Sequence, residues 1–550
     1  MPASAAVLPV RPDVLVVGGG LAGLMAALAA RREGRSMAVL SLGPAGLSGN
    51  TLVAGGVISG ASRAPGNTAD LFFHDLIASG QGLADPELAS RLAGDSSGML
   101  ECLESLGVPL RREGRGFRCV HPAGHSVPRT AFVDRPAAAL TARGRAFLDP
   151  LLAALSSMDV PLLNGLRVTD LLRGGGRVAG VAAVDRKSGE RLQVRAGAVV
   201  LATGGYGGLF RKTDNVSDSH GDGLVLALEA GCALRDMEMV QFYPNVMPAP
   251  FRLDIPNSLF RDGAVLRNRN GERFILRHNA AGELMTRDAL ARAIALEIRA
   301  GGGVDGCVYT DCRGVPENVL RDRHGLLCAA LAKRGIDPRK DWLKGEPVAH
   351  YTMGGIRVDP DGRTGIPGLY AAGEICGGVH GANRLAGAAL MEAAVFGRRA
   401  GMAAAREAGP LPAKTEPVAP SGKGTDRPAA DRAAAMKRLR EILWTHASIL
   451  RDAAGLRAAL DETHAMREEW GRGGGPADRA FGRTLRLAGA VTASALLREE
   501  SRGAHCRTDY PGTSPDWAVS LAVTLQGGAL SIFRDEPARP SAPFSGDAVF

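Results

Sequence analysis

The sequence has few aromatic residues, and no run of basic residues is interleaved with them. Phe, Trp and Tyr together make up 5% of the 550 residues. Binding of single-stranded nucleic acid relies on aromatic stacking beside a basic groove, so nucleic acid is not an expected partner. Lys and Arg exceed Asp and Glu by nine, spread along the chain, which suits an anionic small molecule.

Closely spaced cysteines and long apolar runs are also missing. The eight cysteines form no Cys-x-x-Cys pair, so we predict reduced thiols and neither a metal site nor an iron–sulfur cluster in this chain. The apolar stretch 14–30 is broken by glycines, and the first ten residues lack a charged region and a cleavage site. Neither a signal peptide nor a membrane span is predicted, and the expected location is the cytoplasm.

Glycine, in contrast, is abundant, at 73 of 550 positions. No collagen-like or low-complexity repeat accompanies it, so the glycines are expected to serve local backbone geometry. The first cluster follows an apolar strand at 13–17 and opens an alanine-rich helix that runs to Arg32. In this setting Gly18, Gly20 and Gly23 predict a tight turn that holds a pyrophosphate at the helix N-terminus.

Two further strands fit the same sheet. One, at 37–42, carries Ser41 where NAD enzymes place an acid for the ribose; the other, at 198–202, ends in Ala202, Thr203 and Gly204. Continuous apolar runs of this kind belong to a parallel sheet that is covered on both faces. The predicted fold class is therefore α/β, with a Rossmann-like domain that binds a dinucleotide.

The β-α rhythm stops and resumes along the chain, which predicts several domains. We expect a nucleotide-binding domain in two parts (1–235 and 346–407), an inserted α+β capping domain (236–345), a Pro/Gly-rich linker (408–432), a helical domain (433–505) and a C-terminal tail (506–550). The long helix predicted from about Leu385 belongs to the second part of the nucleotide-binding domain.

Two loops carry side chains suited to an anion. His350 lies in His-Tyr-Thr-Met-Gly-Gly, and Arg384 lies in His-Gly-Ala-Asn-Arg-Leu-Ala-Gly, directly before the long helix. An Arg fork beside a helix N-terminus and a histidine are able to hold a carboxylate. A second glycine loop at 48–57, with Gly55 and Gly56, lets the backbone approach a flat ring system.

These motifs together resemble the flavoprotein subunit family of fumarate reductase and succinate dehydrogenase, which also includes L-aspartate oxidase. The resemblance extends from Val14 to about Trp517 and includes Gln241-Phe242, Gly271-Glu272-Arg273-Phe274, Thr286-Arg287-Asp288 and 500–505. It implies FAD, a capping domain that closes over the flavin, and a small unsaturated carboxylate as substrate. It also implies a membrane anchor and an iron–sulfur partner subunit, with the protein peripheral on the cytoplasmic face.

The resemblance assigns roles residue by residue. Arg287 falls at the proton donor, Arg261 at the arginine of the proton relay, and His350 and Arg384 at the carboxylate-binding positions. The cofactor-binding residues that it and the glycine motifs imply are Gly18, Gly20, Gly23, Ser41, Gly55, Gly56, Ala202, Gly204, Asp222, Glu374, Ala389 and Leu390.

Three departures change the expectation. Gly49 stands where several members carry the histidine that binds FAD covalently, so we predict non-covalent FAD and reduction of an alkene. Tyr243, in Gln-Phe-Tyr-Pro-Asn, replaces a carboxylate-binding histidine, and Asn257-Ser258-Leu259 replaces the family's Thr-Glu-Gly. We therefore predict a reductase whose substrate carries a second group, recognised by Tyr243, other than a simple carboxylate.

Two alternatives stay open on the sequence. L-aspartate oxidase has non-covalent FAD and a similar His350 loop, but Pro122 falls where that enzyme uses a glutamate for the amino group. The second alternative is an electron-transfer subunit whose degenerate substrate pocket has no alkene chemistry. The joint presence of Arg261, Arg287, His350 and Arg384 argues against it.

Overall fold

The computed structural model describes residues 6–7, 10–62, 66–114, 116–133, 143–412, 414–417, 424–470, 474–535 and 548–549. The α-helices span Leu21–Arg32, Asn50–Val53, Ala69–Gly80, Pro86–Ser105, Arg145–Ser156, Asp222–Glu229, Ser258–Arg261, Arg287–Glu297, Glu317–Ala332, Ala388–Glu407, Ala429–His446, Ala453–Trp470 and Pro476–Leu497. The strands span Ala6–Val7, Val14–Val17, Met37–Ser41, Val57–Ser59, Arg112–Glu113, Gly116–Phe117, Cys119–Val120, Thr130–Phe132, Leu162–Asn164, Leu166–Gly174, Arg177–Asp185, Arg191–Arg195, Ala198–Leu201, Leu234–Arg235, Val240–Val246, Val265–Arg267, Val308–Asp311, Leu343–Thr352, Gly355–Ile356, Leu369–Ala371, Glu416–Pro417, Leu521–Gln526, Ala529–Arg534 and Ala548–Val549.

A five-stranded parallel sheet is the centre of the nucleotide-binding region. Its order is Leu369–Ala371, Ala198–Leu201, Val14–Val17, Met37–Ser41 and Leu162–Asn164. Val14–Val17 is fully buried, as expected of an unbroken apolar run in a sheet covered on both faces. The strands and the α/β class predicted from the sequence are confirmed.

Two long helices pack closely against this sheet and against each other. Helix Leu21–Arg32 lies beside helix Ala388–Glu407, and glycines of the second helix allow the contact. A Cβ atom on Gly397 would lie 2.4 Å from the carbonyl oxygen of Ala22, and one on Gly401 would lie 2.1 Å from that of Ala26. The glycine excess therefore serves helix packing as well as loops.

A second, antiparallel sheet covers one side of the ligand cleft, and we call it the capping sheet. Its order is Val240–Val246, Leu343–Thr352, Val308–Asp311 and Val265–Arg267. Helices Arg287–Glu297 and Glu317–Ala332 pack on it around a separate apolar cluster. Strand Leu343–Thr352 runs across the boundary predicted at residue 345, so its last residues return to the cleft beside the parallel sheet.

Three helices follow the second part of the nucleotide-binding region: Ala429–His446, Ala453–Trp470 and Pro476–Leu497. The hairpin Leu521–Gln526 and Ala529–Arg534 pairs with Leu234–Arg235. Residues 413 and 418–423 of the predicted linker, and 536–547 and 550 of the predicted tail, lie outside the described residues. No helix in the described part of the chain is long and apolar enough to cross a bilayer.

Candidate functional site

A cleft of about 1800 Å³ opens at the carboxyl ends of the parallel strands, between the parallel sheet and the capping sheet. Open α/β sheets bind ligands at this edge because the loops after the strands diverge there. Pockets for single small molecules occupy about 300–1,000 Å³. The cleft therefore has room for a dinucleotide and a second ligand.

The first glycine motif forms the floor of the cleft. Gly18 has φ +122°, and a Cβ atom there would lie 2.1 Å from the carbonyl oxygen of Ala202. Gly23 lies behind this floor, and a Cβ on it would lie 1.9 Å from the carbonyl oxygen of Gly18. These contacts bring the N-terminus of helix Leu21–Arg32 to the cleft, where its free N–H groups favour a phosphate.

The other predicted cofactor residues share this cleft. Its lining includes Gly18, Gly20, Ser41, Gly55, Gly56, Ala202, Gly204, Asp222, Glu374, Ala389 and Leu390. A Cβ atom on Gly55 or Gly204 would meet no protein atom within 4 Å, so at both places the backbone itself borders open cleft volume. This bare backbone fits an extended, planar ligand held at close range.

A carboxyl group lies midway along the cleft. Glu374 accepts hydrogen bonds from Asn50 Nδ2 and from the Thr352 backbone N–H, both at 3.2 Å. Burial is the main cause that raises the pKa of Glu374 to about 7. Asn50 comes from the second glycine loop and Thr352 from the capping sheet, so this carboxylate joins both sides of the cleft.

Tyr243 is at the centre of the second half of the cleft. Its ring centroid lies 5.3 Å from that of His350, and the guanidinium carbon of Arg287 lies 5.1 Å from it. The phenol O–H donates to the carbonyl oxygen of Ile255 at 3.2 Å. Because burial raises its pKa, Tyr243 stays neutral, and it presents its ring to the two basic side chains.

His350 is oriented by an acid that the sequence prediction missed. Its Nδ1 atom lies 2.6 Å from Oδ2 of Asp214, which leaves Nε2 for a ligand. Burial lowers the pKa of His350, and Asp214 opposes this effect. Binding a carboxylate at Nε2 requires a proton on the ring, and Asp214 stabilises that charged form. The two residues are 136 positions apart, so no local motif could have paired them.

Arg384 is held as a buried cation with unused donors. It is 4% exposed, its guanidinium carbon lies 4.7 Å from the centroid of the Tyr351 ring, and one Nη donates to the carbonyl oxygen of Leu385. Its Nε atom has no partner among the described residues. Burial lowers the pKa of Arg384 to about 10, so it remains charged at neutral pH. Such an arginine is suited to an incoming carboxylate.

Gln241, on the first strand of the capping sheet, fixes the loop that carries Arg384. Its Nε2 donates to the Arg384 carbonyl oxygen at 2.8 Å and to Asn383 Oδ1 at 2.9 Å. The structure thus brings together Tyr243, Arg287, His350 and Arg384 from distant parts of the chain.

Arg261 is placed differently from these four. It ends the short helix Ser258–Arg261, is exposed at the cleft rim, and makes no hydrogen bond or ion pair within the described residues. The neighbouring acid, Asp262, pairs with His324 at 2.7 Å and with Arg323. Pro122 also lines the cleft, without a charge to offer.

Two family descriptions match most of the chain. Residues 13–390 match the family described as FAD binding domain, and residues 436–530 match fumarate reductase flavoprotein C-term. The chain is 34% identical over 535 residues to the flavoprotein-like chain of the fumarate reductase (CoM/CoB) of Methanothermobacter marburgensis, covering 93% of this chain and 96% of that protein. It is 38% identical over 528 residues to the L-aspartate oxidase of Caulobacter vibrioides, with the same coverage.

Solved structures show the same fold over the whole length. FrdA of E. coli quinol fumarate reductase, in a single-residue variant, superposes with a TM-score of 0.87 at 27% identity and covers 98% of both chains. Mycobacterium smegmatis Sdh1 in complex with UQ1 superposes with a TM-score of 0.84 at 30% identity, covering 98% of this chain and 96% of that one.

Proposed function

This chain belongs to the fumarate reductase and succinate dehydrogenase family of FAD-dependent oxidoreductases, and we propose that it reduces the double bond of a small unsaturated carboxylate. The observation that carries the proposal is the grouping of Arg287, His350 and Arg384 around Tyr243 in the second half of the cleft. Three basic groups in one partly closed site suit an anionic substrate and a proton transfer.

We assign His350 and Arg384 to hold the substrate carboxylate, with Asp214 orienting the imidazole. Arg287 is assigned to donate the proton, because its side chain has no hydrogen bond or ion pair within the described residues and burial lowers its pKa. FAD, when bound, supplies the two electrons as a hydride. We assign its binding to the glycine floor at Gly18 and Gly20 and to the other cleft residues named above.

We further propose that FAD is bound without a covalent bond. Gly49 has φ +84°, and no side chain extends from it into the cleft. We expect acid precipitation to release all the flavin into the supernatant, which absorbance of pellet and supernatant would measure. Flavin that stays with the washed, denatured polypeptide would contradict this prediction.

The substrate is the property to test first. We expect the chemically reduced protein to reduce unsaturated carboxylic acids, and to prefer one whose second group is not a carboxylate, because Tyr243 is neutral and its O–H is already engaged. Steady-state rates on a panel that includes fumarate would measure this. Highest kcat/KM on fumarate would contradict the altered pocket, and no reduction of any acid would favour an electron-transfer subunit.

L-aspartate oxidase is the second candidate, favoured by the 38% identity to the Caulobacter vibrioides enzyme. The uncharged Pro122 in the cleft lining argues against it, since an α-ammonium group needs an acceptor at that place. Release of hydrogen peroxide on addition of L-aspartate would support this candidate over the reductase.

We also propose a membrane anchor and an iron–sulfur partner subunit, with the protein peripheral on the cytoplasmic face. The likeness to a quinol fumarate reductase supports this proposal. Co-purification from the source cell under mild detergent, followed by identification of the bound subunits, would test it. Recovery of the flavoprotein alone would count against both partners.

A further inference from the structure

The proton that Arg287 gives up has to be replaced, and the relay positions implied by the family do not serve this purpose. Arg261 is exposed at the cleft rim, at the end of helix Ser258–Arg261. Asn257, at the position of the family's relay carboxylate, carries an amide, which has no proton to exchange at neutral pH. Another acid must therefore supply Arg287.

Asp254 lies beside this site on a firmly held segment. The segment forms an antiparallel bridge between Val246 and Asp254, and the Ile255 N–H donates to the Asn245 carbonyl oxygen at 3.0 Å. The Ile255 carbonyl oxygen accepts the phenol O–H of Tyr243, over whose ring Arg287 lies. The Asp254 side chain is exposed to the cleft, so water reaches it while the backbone stays fixed.

Two carboxylates interact electrostatically with Arg287, and only one is uncommitted. Asp214 is bound to His350 at 2.6 Å. The Asp254 side chain makes no hydrogen bond or ion pair within the described residues. The charged or titratable groups that act on it are Asp214, Arg287, Arg143 and Tyr243.

The surroundings of Asp254 suit proton exchange. Removal from bulk water in the deep cleft, followed by the charge of Asp214, raises its pKa to about 7, and Arg287 and Arg143 oppose the shift. An acid with a pKa near the working pH is present in both protonation states, which is the condition for efficient proton relay.

We propose that Asp254 resupplies the proton that Arg287 transfers to the substrate. The inference rests on the proposed reductase function. In this step the protonated Asp254 carboxyl gives its proton to the neutral guanidine left after transfer, which restores the Arg287 cation. The resulting carboxylate then takes a proton from water in the cleft. One proton thus enters per double bond reduced, and the two electrons come from reduced FAD.

The test uses the FAD-loaded protein and three variants: Asp254→Asn, Asp254→Glu and the matched control Asp322→Asn. Asp322 is an exposed acid of the cleft rim that pairs with Arg321. We expect Asp254→Asn to lower kcat for alkene reduction about 10- to 100-fold. We expect its rate to lose the decline that the wild type shows as pH rises through 7. Asp254→Glu should restore much of the rate, and Asp322→Asn should match the wild type.

Two readouts do not depend on alkene reduction. Electron transfer from reduced flavin to a one-electron dye needs no proton from Arg287, so Asp254→Asn should leave it unchanged. In infrared difference spectra between pH 6 and pH 8, the wild type should show a carboxyl band that Asp254→Asn partly loses. The comparison with this variant is required because Glu374 titrates in the same range.

The outcomes separate the inference from the function on which it rests. Equal rates and equal pH profiles for the wild type and Asp254→Asn would overturn the inference alone. A lowered rate with an unchanged pH profile and an unchanged carboxyl band would also overturn it, since that result indicates a structural effect. A wild type that reduces no unsaturated acid would overturn the proposed function and the inference together.

Discussion

Replacing Arg287 with alanine is expected to lower kcat for alkene reduction by about 10²- to 10⁴-fold, the usual contribution of a positioned general acid. Arg287 is the first residue of helix Arg287–Glu297, and its guanidinium lies over the Tyr243 ring. The glycine floor of the cofactor site belongs to the parallel sheet, so FAD content should not change. A fall in kcat with little change in KM would assign Arg287 to the transition state.

Two further variants sharpen this experiment. Arg287→Lys keeps a cation but loses the planar fork and its reach, so we expect most of the rate to be lost as well. Arg321→Ala removes an arginine that is exposed at the same cleft rim and should leave the rate unchanged. Turnover that survives in Arg287→Ala, with flavin bound, would show that another group is the acid.

A large loss of stability is expected when Arg498 is replaced with alanine. Arg498 follows helix Pro476–Leu497 and is fully buried. Its Nε donates to Glu238 at 2.6 Å, and its two Nη atoms donate to the carbonyl oxygens of Trp517 at 2.8 Å and Val519 at 3.0 Å. The side chain therefore joins the C-terminal helices, the tail and the segment before the capping sheet.

The size of this effect follows from burial of the remaining charges. Glu238 is 0% exposed and its second oxygen has no partner among the described residues, so without Arg498 it is left as an uncompensated charge. Breaking a buried pair by removing one partner costs about 3–5 kcal/mol. Urea unfolding of the FAD-loaded protein, followed by circular dichroism, would measure the loss.

A surface ion pair provides the control for this prediction. Arg406 pairs with Glu33 at 2.9 Å, with 60% of its side chain exposed, and Arg406→Ala should cost about 0–1 kcal/mol. Adding Glu238→Gln to Arg498→Ala should recover part of the stability, because it removes the buried charge. Equal urea midpoints for Arg498→Ala and Arg406→Ala would contradict the assigned role of the buried network.

Local patterns were sufficient for the nucleotide-binding half of the protein. Strand Val14–Val17, the turn at Gly18 and helix Leu21–Arg32 are contiguous, so the periodicity and the glycine spacing predict them directly. The long helix predicted from about Leu385 begins at Ala388, a difference of less than one turn. The family resemblance located Arg384 and His350 through the loops in which they lie.

Interactions between distant segments were not predictable in the same way. The sequence interpretation had Tyr243 recognise a substrate group, but the structure shows its hydroxyl donating to Ile255, so the ring is what faces the two basic side chains. Arg261 was predicted as the relay arginine from its place near the motif, and its position at the exposed rim depends on how the short helix ends. That role remains a prediction.

The sequence by itself determined the fold class, the FAD site and the family, because each depends on residues close together in the chain or on motifs with strict spacing. Only the tertiary structure decided which acids act on the substrate site. Asp214 reaches His350 across 136 residues, and Asp254 reaches the neighbourhood of Arg287 through the folding of the capping sheet. Electrostatic interactions depend on distance and burial in space, and a sequence records neither for residues that far apart.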